Sequence, residues 1–111
     1  MKNKKTPIED NFKFAIEENQ LQANSMKLVR VEGTPVLLIK QGGQIFAIDN
    51  RFPHMGCGFS GGTLDGFTVI CPCHDWRFSL QTGEYENEKA FKLVFYRFKI
   101  SDGKIFVEIN S

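Results

Sequence analysis

Both histidines and all three cysteines of this 111-residue chain fall between positions 54 and 74. They sit in two short segments, Phe52-Pro53-His54-Met55-Gly56-Cys57 and Cys71-Pro72-Cys73-His74-Asp75-Trp76-Arg77-Phe78. Thiolate sulfur and imidazole nitrogen are the donors that zinc and iron take from proteins. An odd number of clustered cysteines also favours metal or redox chemistry over a disulfide framework. Pro53, Gly56, Gly58 and Pro72 supply the bends that let donors two or three residues apart converge. On donor type alone, His54, Cys57, His74 and either Cys71 or Cys73 would make a zinc site. A single Cys-x-x-His is a weak signal, and a single histidine is more often a surface residue than a ligand. The information lies in the constellation, with sixteen residues between His54 and Cys71.

That constellation resembles the two ligand loops of Rieske iron-sulfur proteins, Cys-x-His followed by Cys-x-x-His. In that family two cysteines hold one iron of a [2Fe-2S] cluster and two histidines hold the other. The resemblance implies His54, Cys71 and His74 as cluster ligands and places Phe52 where the first ligand cysteine belongs. Phenylalanine has no donor atom, and Cys57 is the substitute that the sequence offers. In the high-potential branch of the family, cysteines at the positions of Cys57 and Cys73 form a disulfide across the ligand loops. Here a disulfide and two packed thiols both remain open. That branch also places a serine soon after the second histidine, where this chain has His74-Asp75-Trp76. A carboxylate there opposes electron uptake and implies a low potential. Trp76-Arg77-Phe78, the Thr82-Gly83 turn and Gly61-Gly62-Thr63-Leu64 follow the family pattern as well.

Strands are expected to position these loops. Residues 27–31 and 36–40 are β-branched and leucine-rich runs separated by Glu32-Gly33-Thr34-Pro35, which predicts a hairpin. Gln41-Gly42-Gly43 turns into a third strand at 44–49, where Ile45 and Ala47 should face one side of a sheet and Phe46 and Ile48 the other. Residues 91–100 and 104–109 predict another hairpin about Ser101-Asp102-Gly103, with Ile105, Val107 and Ile109 on one face. A short hairpin is expected about Leu64-Asp65-Gly66-Phe67. Residues 12–22 admit a short amphipathic helix, but Phe12, Phe14 and Ile16 alternate with Lys13, Ala15 and Glu17, and we read an opening strand. The expected fold is all-β: an antiparallel sandwich or barrel base carrying an inserted loop subdomain at about 51–83, in one domain spanning 1–111.

Composition narrows the function. A formal charge of +1 and no basic block beyond Lys2, Lys4 and Lys5 offer no footprint for nucleic acid or membrane. That basic start precedes Thr6-Pro7-Ile8 rather than an apolar run, so a cytoplasmic protein is expected. Glu84, Glu86 and Glu88 read as a solvated acidic loop, and Arg51, Arg77 and Arg97 show no phosphate-binding pattern. No triad or phosphate-cradling motif suggests an enzyme acting alone. The resemblance implies a Rieske-type ferredoxin, a one-electron carrier between a reductase and a terminal oxidoreductase. The alternative is a cluster-free subunit that keeps the fold and docks onto a larger oxidoreductase.

Overall fold

The computed structural model describes residues 11–51, 58–73 and 75–109, so Phe52, His54, Cys57 and His74 lie outside the described residues. The described chain forms three antiparallel sheets of three strands each, with 3-10 turns as its only helical elements. It is all-β, as the alternation of apolar residues predicts. The first sheet has the order β1 (Phe12–Glu17), β9 (Lys104–Glu108), β8 (Phe98–Ser101). The second runs β2 (Ser25–Val31), β3 (Thr34–Gln41), β4 (Gln44–Asp49), and the third β5 (Thr63–Asp65), β6 (Thr68–Ile70), β7 (Arg77–Ser79).

Two-residue turns set the register. Glu32-Gly33, Gly42-Gly43 and Asp102-Gly103 each place both residues at positive φ, the left-handed geometry whose twist matches a tight hairpin. The β2–β3 turn is therefore shorter than the four residues expected, and Thr34 and Pro35 pair with Val31 and Arg30. Proline is tolerated because its missing N–H falls just beyond the last β3–β4 pair, Val36 with Asp49.

Strand β3 is buried on both faces. Leu37 and Ile39 join Ile48 and Phe46 in one core, while Val36 and Leu38 join Ala47 and Ile45 in another. The predicted division of β4 holds, and Ile105, Val107 and Ile109 share the second core. The first core continues into the small sheet through Val69, Phe78 and Leu80.

Two expectations change. Residues 12–17 form the preferred strand, but its register shifts between Phe14 and Ile16. This bulge turns Ile16 into the core and leaves Phe14 half exposed against Phe106. The strand expected from 91 begins only at Phe98. Residues 91–96 have no single neighbour to pair with along their length. Phe91 and Leu93 bond to Tyr85 and Gly83, whereas Val94 and Tyr96 bond to Asp49 and Ala47 at the edge of β4.

Candidate functional site

The first predicted ligand segment connects two sheets, and the second joins neighbouring strands of the small third sheet. Residues 50–62 lead from β4 to β5, and 71–76 join β6 to β7. Cys71 follows the last residue of β6 and is fully buried. Its N–H donates to the Trp76 carbonyl at 2.9 Å and its carbonyl accepts from the Asp75 N–H at 3.0 Å, which closes the second loop on itself. Asp75 sits at φ +56°, a conformation that Asp tolerates better than most side chains.

An aromatic column backs this loop. The Trp76 ring stacks on Tyr85 at 4.5 Å and 17°, Tyr85 stacks on Phe78 at 5.2 Å, and Phe78 meets Phe59 edge-on at 5.4 Å. Phe59 comes from the first loop and Cys71 from the second, so both loops contribute to one buried cluster. Glycines let their backbones approach. A Cβ on Gly62 would overlap the Ile70 carbonyl oxygen, one residue before Cys71.

The first loop is anchored where it leaves β4. Asp49 is a buried carboxylate bound to Arg51 through Nε at 3.1 Å, Nη2 at 3.1 Å and the backbone N–H at 2.9 Å. Burial pushes its pKa up, but hydrogen bonds from Arg51, the Arg51 charge and a hydrogen bond from Tyr96 together outweigh that and hold it below the ordinary range. Burial and the Asp49 charge raise the Tyr96 pKa, which keeps its hydroxyl a donor. Asn50 bonds through its N–H to Pro35 and through Oδ1 to the Ser60 N–H. Sequence reading singled out neither Asp49, Asn50 nor Tyr96. The one available signal was a polar pair ending an apolar strand.

Cys73 is disulfide-bonded, to a partner outside the described residues, and Cys71 is a buried thiol. Among the described cysteines, Cys73 is engaged in a disulfide and leaves Cys71 as the thiol available to a metal. Cys71 suits a thiolate ligand; Phe52 supplies nothing. Among the described residues no group of three or more His, Cys, Asp or Glu side chains could hold a metal ion. Three further ion pairs lie away from the loops: Arg77 with Asp65 at 3.8 Å, Lys89 with Glu84 at 3.7 Å and Arg97 with Glu108 at 3.6 Å. Such pairs add at most about 1 kcal/mol each.

Comparison with known proteins agrees with this arrangement. The family described as Rieske [2Fe-2S] domain matches residues 11–105. The chain belongs to that family. It is 36% identical over 84 residues to the 3-phenylpropionate/cinnamic acid dioxygenase ferredoxin subunit of Photorhabdus laumondii, covering 73% of this chain and 80% of that protein. It is 31% identical over 91 residues to human apoptosis-inducing factor 3, covering 81% of this chain but only 15% of the relative. A chain in the complex of reduced oxygenase and oxidized ferredoxin of carbazole 1,9a-dioxygenase shares the fold, with a TM-score of 0.77 at 24% identity over 88% of this chain and 93% of that one. Among the described residues no helix of this Rieske-family chain is long and apolar enough to cross a membrane.

Proposed function

We propose that this Rieske-family chain is a ferredoxin, a one-electron carrier between a donor reductase and a terminal oxidoreductase in the cytoplasm. It would act as one domain over 1–111, with its cofactor loops within about 51–83 and His54, Cys71 and His74 as ligands. A bound [2Fe-2S] cluster would supply the one-electron chemistry. The observation that carries the reading is the placement of Cys71, a buried thiol just after β6, held in a closed loop within the buried cluster that also takes Phe59 from the other segment. The similarity to a dioxygenase ferredoxin subunit over most of that protein's length supports a carrier, and the oxygenase–ferredoxin complex supports an oxygenase as acceptor.

A second reading, the cluster-free interaction subunit, is favoured by Phe52, which has no donor atom where the family has a ligand cysteine. Iron and sulfide analysis with visible spectroscopy separates the two. Phe52→Cys is expected to bind the iron and sulfide of one [2Fe-2S] cluster and to bleach reversibly on one-electron reduction, since it returns a thiolate at the motif's own spacing. A Phe52→Cys protein that stays colourless after reconstitution would sink the carrier reading. Full loading without the substitution would assign the missing ligand to Cys57 and require the Cys73 disulfide to be open, and Cys57→Ser should then abolish the colour.

A further inference from the structure

The first predicted ligand loop leaves β4 at Asn50 and returns at 58–60, and the two ends touch. The Asn50 carboxamide oxygen accepts the Ser60 N–H at 2.9 Å, while the Asn50 N–H is held by the Pro35 carbonyl of β3 at 3.1 Å. Gly58 packs directly on the same residue. A Cβ there would overlap the Asn50 carboxamide nitrogen and lie 2.8 Å from both Cγ and the backbone oxygen of Asn50. From Ser60 the contact continues toward the second loop. Gly62 bonds through its N–H to the Phe59 carbonyl at 2.8 Å and rests against the Ile70 carbonyl, adjacent to Cys71. From β3 the contacts therefore run through Asn50 to Gly58 and Ser60, and the same turn, closed between Phe59 and Gly62, rests on the Ile70 backbone beside Cys71.

We infer that Asn50 is a positioning residue: it closes the first loop at its base and sets that base against the Ile70 carbonyl beside Cys71, whether or not a cofactor is bound. Its side chain does what a bound group would otherwise have to do, namely hold two backbone segments at fixed spacing. Asparagine suits the role because its side-chain oxygen reaches back to accept the Ser60 N–H. Tight packing against Gly58 excludes a larger side chain there. The inference does not depend on the carrier reading, because a cluster-free chain has the same contacts.

The test uses Asn50→Ala, Asn50→Asp and Gly58→Ala. Asparagine-to-aspartate keeps an acceptor oxygen, Asn50→Ala removes it, and Gly58→Ala pushes the carboxamide aside from the opposite end. In the chain as it stands, amide exchange at Ser60 should accelerate roughly five- to tenfold in Asn50→Ala and in Gly58→Ala, the loss of one ordinary hydrogen bond, and Asn50→Asp should restore it. Exchange in β3 and β9 should stay unchanged. In a Phe52→Cys background, iron loss to a chelator should be faster in Asn50→Ala by a similar factor and near the parental rate in Asn50→Asp. Unchanged Ser60 exchange in Asn50→Ala and Gly58→Ala would overturn the inference, as would equal losses in Asn50→Ala and Asn50→Asp. If Asn50→Ala unfolds, Gly58→Ala decides. If the Phe52→Cys parent takes up no iron, the carrier reading fails while the exchange measurement still decides this one.

Discussion

Asp49 is the sole buried charged residue among those described, and its partners explain why it can stay ionised. Burial disfavours the carboxylate, but three hydrogen bonds from Arg51 and one from Tyr96 favour it more. Its folded pKa therefore lies below the ordinary 3.8. A depressed carboxylate pKa stabilises the fold above the unfolded value, and that contribution is lost as pH falls through the folded value. Arg51 is largely exposed, which discounts the ion pair to the scale of its hydrogen bonds. Asp49→Asn should cost about 1–2 kcal/mol at neutral pH. The gap between variant and parent should then narrow as pH drops below about 4. Urea unfolding at pH 7 and pH 3 checks this, and a gap that widens in acid would contradict it. Neither partner was legible in advance. Tyr96 is 47 positions away in sequence, and no local pattern marks it as the donor that meets the end of β4.

At the scale of elements, the hairpins carry the register and glycine carries the turns. Glu32 holds φ +53° and Gly43 φ +78°, but they differ in cost, since a glutamate has a Cβ to accommodate. Glu32→Asn should stabilise the chain by about 0.5–1 kcal/mol, because asparagine is preferred at the first position of this turn type. Gly42 and Gly43 make a sharper comparison. Both adopt positive φ, but a Cβ on Gly42 would lie 2.6 Å from the Phe67 ring, whereas one on Gly43 meets nothing within 4 Å. Gly43→Ala should cost only the backbone term, about 1 kcal/mol, and Gly42→Ala measurably more. Equal melting temperatures for the two would show that the Phe67 contact is soft. Turn positions were legible because Gly-Gly, Asp-Gly and Glu-Gly punctuate apolar runs. The bulge in β1 and the late start of β8 were not, since each depends on which neighbour a strand finds.

The molecule as a whole is coupled through β3. Leu37 and Ile39 serve the core beneath the loops, and Val36 and Leu38 serve the core of the β1–β9–β8 sheet. A truncation on either face therefore loosens a strand that both cores need. Leu38→Ala should cost about 2–5 kcal/mol. It should also lower the transition seen by Trp76 fluorescence, although Trp76 packs against the other core. Fluorescence and far-ultraviolet circular dichroism should give one midpoint in urea. A Trp76 signal that melts separately from the strands would refute the coupling.

The residue types and spacings by themselves determined the all-β class, the hairpin order, the two faces of β4 and the family to which the loops belong. These follow from alternation, turn chemistry and donor identity, which are properties of short stretches of chain. Only the tertiary structure decided that Cys73 is in a disulfide while Cys71 is a buried thiol. It also decided that Asn50 meets Ser60 and Asp49 meets Tyr96, and that 91–96 serves two neighbours instead of forming a strand. Those outcomes depend on which distant backbone groups and side chains arrive together, and no local periodicity encodes a meeting between segments that lie far apart along the chain.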